Sequence, residues 1–184
     1  MARPLASRAA TLVANLDILS PEPRAEHRPG GFAIALDTRE QRLGAIDLSI
    51  PIVVGKLPAG DLSVVGHEGR IAIDRKAIDD FCGCLTSARE RFDRMLEKLS
   101  TYDCAAILVE TTLQEVERHR YRSRISPQFV VSSAATIAVK YGVPVYFTGP
   151  LDVSTDFAIR LLRSWWRTFA EPEALRALEK EIAR

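Results

Sequence analysis

Sulfur and aromatic side chains are scarce: 184 residues hold three cysteines, two methionines and two tryptophans, and aromatics make up 7%. Cys82, Cys84 and Cys104 are odd in number and lack the paired CxxC spacing of a zinc site, which argues against a disulfide scaffold or a zinc ribbon. Reduced, buried thiols of a cytosolic protein are the expectation. Excess charge of either sign is also missing. Lys and Arg total 25 against 24 Asp and Glu, so the global field of a coating or histone-like protein is excluded, and any nucleic-acid contact must come from local patches. No apolar run approaches the roughly 18 residues of a membrane-spanning helix. Arg8, Asn15 and Asp17 interrupt the N-terminal stretch too often for a secretory segment.

What is present suits one globular domain, with 47% hydrophobic residues over a length that buries one sizeable core. Leu5, Ala9, Leu12, Val13 and Leu16 recur at helical spacing and predict a short amphipathic helix within residues 1–19. SPEPRAEHRPGG, from Ser20 to Gly31, reads as a linker. Residues 1–31 are therefore expected to form an extension and linker, 32–170 the folded domain, and 171–184 a helical tail. FAIALD (32–37), PIVVG (51–55), DLSVV (61–65), RIAID (70–74), AAILVE (105–110) and VPVYF (143–147) are short, β-branched and bounded by turn residues, as strands are. Helical patterns fill 77–100, 127–140 and 154–169. Strands that first pair locally and later alternate with helices imply an α/β fold with a mixed central sheet flanked by helices.

The pair DLSVV and RIAID carries the sharpest local information. Gly66, His67, Glu68 and Gly69 join the two runs as a hairpin loop. Pairing Val65 with Arg70 sets Leu62, Val64, Ile71 and Ile73 on one face and Asp61, Ser63, Ala72 and Asp74 on the other, since side chains alternate along a strand. That register opposes Asp61 to Asp74. Opposed carboxylates lie about 5 Å apart at Cβ and repel, which raises one carboxyl pKa unless a hard divalent cation with oxygen ligands removes the conflict. Lys76, two residues beyond Asp74, points to the same side and is placed to orient water or stabilise phosphorane charge. Asp37 ends the first strand and Glu40 follows it, adding two acids at a C-terminal sheet edge, where α/β sites form.

These residues resemble the nuclease domain of the XPF family of structure-specific endonucleases, within the PD-(D/E)xK superfamily. That family's pattern is an acid followed by Arg-Glu, then Gly-Asp, then Glu-Arg-Lys with an Asp four residues after the Lys. Here it reads Asp37, Arg39 and Glu40; Gly60 and Asp61; Asp74, Arg75 and Lys76; and Asp80. The resemblance spans residues 32–169. It implies a restriction-endonuclease-like core and magnesium- or manganese-dependent cleavage of DNA at junctions, flaps or forks, in repair or recombination. Asp37, Glu40, Asp61, Asp74 and Lys76 are its implied catalytic set. The resemblance also implies Asp61, Asp74 and Asp37 as metal ligands and Asp80 in a supporting part. Two departures stand out: Asp74 replaces the usual Glu, and only fifteen residues follow Phe169, too few for the family's tandem helix-hairpin-helix domain.

DNA contacts are expected from the acid-free run holding Arg118, Arg120, Arg122 and Arg124, because a guanidinium fork matches phosphate oxygens. Arg39, Arg75 and Arg91 join them. Most charge on the helix of Arg89, Arg91, Arg94 and Lys98 is expected to be spent on pairs such as Arg89 with Asp93 and Glu90 with Arg94. Trp165 and Trp166 are adjacent and cannot both face the core. With the family, they prompt a homodimer or a partner protein, no membrane, and a cytoplasmic, nucleoid-associated setting in a prokaryote. A non-catalytic DNA-binding subunit and a restriction-like nuclease with another target use the same residues and stay open as alternatives.

Overall fold

The computed structural model describes residues 31–40 and 49–182. The expected N-terminal helix and nearly all of the linker lie outside the described residues. Six short strands make one mixed sheet in the order β2-β1-β3-β4-β5-β6. They are β1 (Ile34–Asp37), β2 (Ile52–Gly55), β3 (Leu62–Val64), β4 (Ile71–Lys76), β5 (Cys104–Val109) and β6 (Val145–Phe147). Five run parallel and β3 alone runs against them. The C-terminal ends of β1, β4 and β5 therefore share one edge.

The hairpin register is the one that the alternation of side chains demands, with Leu62 opposite Ile73. Both faces of the sheet are buried, however. Leu62, Val64, Ile71 and Ile73 join Ile34, Leu36 and Leu108 in one core, against Ala158, Ile159, Leu162 and Trp165. Ala72, Ala105, Ile107 and Val109 join the other, against Phe81, Phe92, Leu96, Val130 and Ile137. Ser63 is buried as well, its hydroxyl donating to the Ile71 carbonyl at 2.6 Å. Helices on both faces explain why AAILV is apolar throughout rather than alternating.

The helices are α1 (Ile78–Leu85), α2 (Arg89–Leu99), α3 (Leu113–Glu117), α4 (Pro127–Tyr141), α5 (Leu151–Trp165) and α6 (Glu171–Ile182), with a π-helical turn at Trp166–Ala170 between the last two. The single helix expected over 77–100 is broken after Leu85. Gly83, Thr86 and Ser87 are weak helix formers, and the Thr86 hydroxyl donates to the Cys82 carbonyl at 2.9 Å, competing with the helical ladder. α3 has a full capping box, Thr112 accepting from the Glu115 N–H and the Glu115 carboxylate accepting from Thr112 N–H. α4 starts on the Ser126 cap with Pro127 in its first turn and ends at Gly142, left-handed at φ 68°. The π turn sits where Pro172 lacks a helical N–H, so the backbone widens rather than clashes. Trp165 is buried, while Trp166 lies half-buried against Phe32 at 5.8 Å. None of the described helices is long and apolar enough to cross a membrane.

Candidate active site

The shared sheet edge collects the chemistry. Gly60, at φ +71°, turns the chain into β3 so tightly that a Cβ there would lie 2.9 Å from the Ile73 carbonyl oxygen. Asp61 follows, its N–H donating to that same carbonyl at 2.8 Å and its own carbonyl accepting from Asp37 N–H at 2.9 Å. Its carboxylate Oδ2 accepts from the Arg75 N–H at 2.7 Å. Leu62 is paired to Ile73, and Asp61, just before the strand, turns its N–H to the same Ile73 carbonyl, so it sits beside Asp74 through the Arg75 N–H rather than in a regular opposed pair. The Lys76 ammonium lies 2.8 Å from Asp74 Oδ2.

Electrostatics mark this cluster. Burial, then the charge of Asp74, push the Asp61 carboxyl up to about 7, although the Arg75 N–H and Lys76 pull the other way. Burial works against the Lys76 ammonium, and the Asp74 carboxylate overrides it, holding the lysine charged well into the basic range. Two carboxylates with one such strained proton suit a hard divalent cation. Among the described residues no group of three or more His, Cys, Asp or Glu side chains converges on a metal position. Two carboxylates are nonetheless a sufficient protein contribution for magnesium, which keeps several waters and takes further oxygens from phosphate. Asp61 and Asp74 are the residues that fit it.

Asp37 and Arg75 take other places than the sequence suggested. The Asp37 carboxylate is 1% exposed, and both oxygens are occupied. Oδ1 accepts from the Arg39 N–H at 2.8 Å and from Arg39 Nε at 2.7 Å, and Oδ2 accepts from Arg39 Nη2 at 3.0 Å and Leu57 N–H at 2.8 Å. Burial opposes its charge, but the Arg39 guanidinium and the two N–H groups prevail and hold its pKa below the usual carboxylate range. A group so fully hydrogen-bonded orders the loop and Arg39. Arg75 alternates with Asp74 and Lys76 and so points to the opposite face. Its side chain, 1% exposed, meets Glu40 Oε2 at 3.0 Å and donates to the Thr155 hydroxyl on α5. It is an internal strut, closed to DNA, and Glu40 is its counter-charge.

Above Asp61, Asp74 and Lys76 opens a cleft of about 670 Å³, walled by Asp80 and Cys84 of α1, by Arg91, Arg94, Met95 and Lys98 of α2, and by Arg39. Asp80 is exposed, and Arg39 is 66% exposed despite its anchor on Asp37. On α2, Arg89 pairs with Asp93 at 3.0 Å as expected, but Arg94 lines the cleft. The spacing of Arg91, Arg94 and Lys98, three and then four residues, was the available signal of a basic helix face. Lys98 donates to the Pro58 carbonyl at 2.6 Å, closing the cleft's far end. Cys84, expected from the sequence only as a reduced thiol, lines the wall as a neutral group, because burial raises its thiol pKa.

The basic run follows α3. Arg118, Arg120, Arg122 and Arg124 are all exposed. The loop is nonetheless ordered from within, as the His119 ring meets the Ser123 carbonyl at 2.8 Å and Tyr121 donates to the Ile125 carbonyl at 2.9 Å. Asp79 accepts from the Arg122 N–H at 2.9 Å and the Ser123 N–H at 3.3 Å, which fastens the loop to the first turn of α1, three residues past Lys76. His67 stays at the other end of the sheet, its ring 5.3 Å from Trp165.

Comparison with known proteins extends these observations. The model of the ERCC4 domain matches residues 36–161. No curated protein matches the chain in sequence. Solved structures share its fold, among them two of one protein. XPF from Aeropyrum pernix is 24% identical over 71% of this chain and 64% of its own, with a TM-score of 0.56. XPF from Aeropyrum pernix in complex with DNA is 24% identical over 75% of this chain and 66% of its own, with a TM-score of 0.59. The chain thus spans just under two thirds of that protein in either structure. The shared architecture is the helix-flanked mixed sheet of restriction-endonuclease-like proteins.

Proposed function

This chain belongs to the ERCC4-domain family, and on that premise we propose that it is a metal-dependent DNA endonuclease acting on branched or otherwise structured DNA in repair or recombination. The observation that carries the proposal is the gathering of Asp61, on the Arg75 N–H, with Asp74 and the Lys76 ammonium 2.8 Å from Asp74, at the floor of an arginine-walled cleft. Asp61 and Asp74 would hold magnesium or manganese. Such an ion, when bound, lowers the pKa of a water and stabilises the leaving oxygen of an in-line displacement.

The chain's own groups supply the rest. Lys76, charged and four-fifths covered by protein, presents a fixed ammonium to the negative charge that develops on phosphorus, where a preorganised cation is worth far more than in water. Arg39, Arg91 and the loop arginines 118, 120, 122 and 124 grip phosphate oxygens, since each guanidinium donates two parallel hydrogen bonds. Asp37 aims Arg39, Glu40 and Thr155 hold Arg75, and the Arg75 N–H holds Asp61. Residues 32–170 form the working unit in this reading, in a cytoplasmic protein whose substrate is DNA.

The test is cleavage of labelled duplex, flap, fork and single-stranded DNA in magnesium, manganese or EDTA. Asp61→Ala and Lys76→Ala are each expected to slow metal-dependent cutting by roughly a hundred-fold or more while leaving DNA binding in EDTA intact. Binding of branched DNA without cutting in any metal would replace this reading with that of a non-catalytic DNA-binding subunit.

A further inference from the structure

A second cationic surface lies on the face of the sheet away from the cleft. α5 packs Ala158, Ile159, Leu162 and Trp165 inward, which leaves Arg160 and Arg163 on the flank of the helix and Arg167 in the π turn below. These three arginines line a groove of about 660 Å³ whose floor includes Ile50 and Ile159. Arg163 also stacks on the Phe32 ring, 5.2 Å from its centroid. Asp156 shares the groove wall and is spent on Arg160 at 2.6 Å, and Glu173 is taken by Arg70 at 2.8 Å. Among the described residues, Arg163 and Arg167 have no acidic partner.

Spacing and placement suggest the ligand. Arg160 to Arg167 spans about 10 Å of helix rise, comparable to some three nucleotide steps of one strand measured along the duplex axis at about 3.4 Å each. The groove is concave and arginine-rich over an apolar floor, which suits phosphates above sugars better than the scattered carboxylates of an acidic protein. Its position relative to the cleft is fixed by the strut: Thr155 on α5 touches Arg75, beside Asp74 and Lys76 on β4. From Thr155 the helix runs back along the other face, so the arginines begin about 8 Å below that level and end about 18 Å below it.

We infer that the Arg160–Arg163–Arg167 groove binds the phosphate backbone of a second DNA arm, the one that leaves the cleft and bends around the sheet edge. The inference rests on the DNA reading above and adds to it a physical source of preference for branched over linear DNA. It requires no chemistry at the groove.

The probe is a labelled flap DNA, with the unbranched duplex of its longest arm for comparison, titrated in EDTA at several salt concentrations. Arg163→Gln/Arg167→Gln is expected to bind the flap roughly ten-fold more weakly, with the slope of log affinity against log salt shallower by about 2. The bare duplex and its cleavage in magnesium should be unaffected. Arg163→Lys/Arg167→Lys, keeping the charge, should restore most of the slope, which separates lost charge from lost folding. Unchanged flap binding by the Gln pair overturns the inference alone, as does an equal loss on duplex, which would place these arginines on the cleft's own DNA. Failure of the wild-type protein to bind any DNA would overturn both this and the nuclease reading.

Discussion

At Asp61 the fold holds a carboxyl where its charge is unwelcome, and the consequence can be read in pH. An unfolded chain releases this proton near the ordinary 3.8, the folded chain only near 7. Between those values the folded state binds more protons than the unfolded one, so this group's contribution to stability is greatest below about 4 and is lost as pH rises to about 7. In EDTA, Asp61→Asn should therefore melt above wild type at pH 8, by roughly 2–8 °C, and the gap should close as pH approaches 4. Magnesium should raise the wild-type melting temperature and leave the variant nearly unmoved, because only the wild type offers both carboxylates. A gap that stays constant across pH would mean that the carboxylate is not strained. Asp61, Asp74 and Lys76 were legible in the sequence because alternation fixes which side of a strand a residue faces. Asp37 and Arg75 were not, because alternation says nothing about which partner a side chain reaches first. Arg39 and Leu57 N–H closed around Asp37, and Thr155, eighty residues away in sequence, claimed Arg75.

The β3–β4 hairpin is the element on which the site depends, and Gly60 is its narrowest point. A methyl group there meets two obstacles: a left-handed backbone and the Ile73 carbonyl oxygen at 2.9 Å. Gly66, in the turn of the same hairpin, has φ +81° but nothing within 4 Å of its Cβ position. Gly66→Ala should thus carry the backbone cost alone, about 1 kcal/mol. Gly60→Ala should cost about 1–2 kcal/mol more and also weaken magnesium binding, since Asp61 is the next residue. Equal melting temperatures for the two variants would count against the close approach. The hairpin's register was readable because a one-residue slip would carry Leu62, Val64, Ile71 and Ile73 to the wrong face. The break at Thr86, the short α3 and the π turn before Pro172 were harder to read. Each depends on one or two local hydrogen bonds or a missing N–H, signals that a hydrophobic period passes over.

Over the whole molecule the charges cancel to +1, so no long-range field draws the chain to DNA and binding must rely on arginines concentrated in place. The cleft wall, the loop of residues 118–124 and the α5 flank are those concentrations. Composition alone showed only the cancellation; the loop was visible as a run of residues and the α2 face as a spacing of three and four, whereas the α5 face emerges only when the helix is packed. The loop differs from the other two in that its backbone N–H groups are held by the Asp79 carboxylate at the start of α1, beside the packing of Tyr121 and Ile125 on the core. Replacing Arg120, Arg122 and Arg124 together by Gln removes up to three phosphate contacts, and the salt slope for plain duplex should fall by about 2 to 3. Asp79→Ala keeps every arginine but frees the backbone that orders them. If the loop is a fixed clamp, this variant should keep most of the salt slope, lose affinity several-fold and slow cleavage at subsaturating DNA more than at saturation. If Asp79→Ala instead behaves as wild type while the triple variant loses its slope, the arginines act as a diffuse charge and the tether serves folding alone.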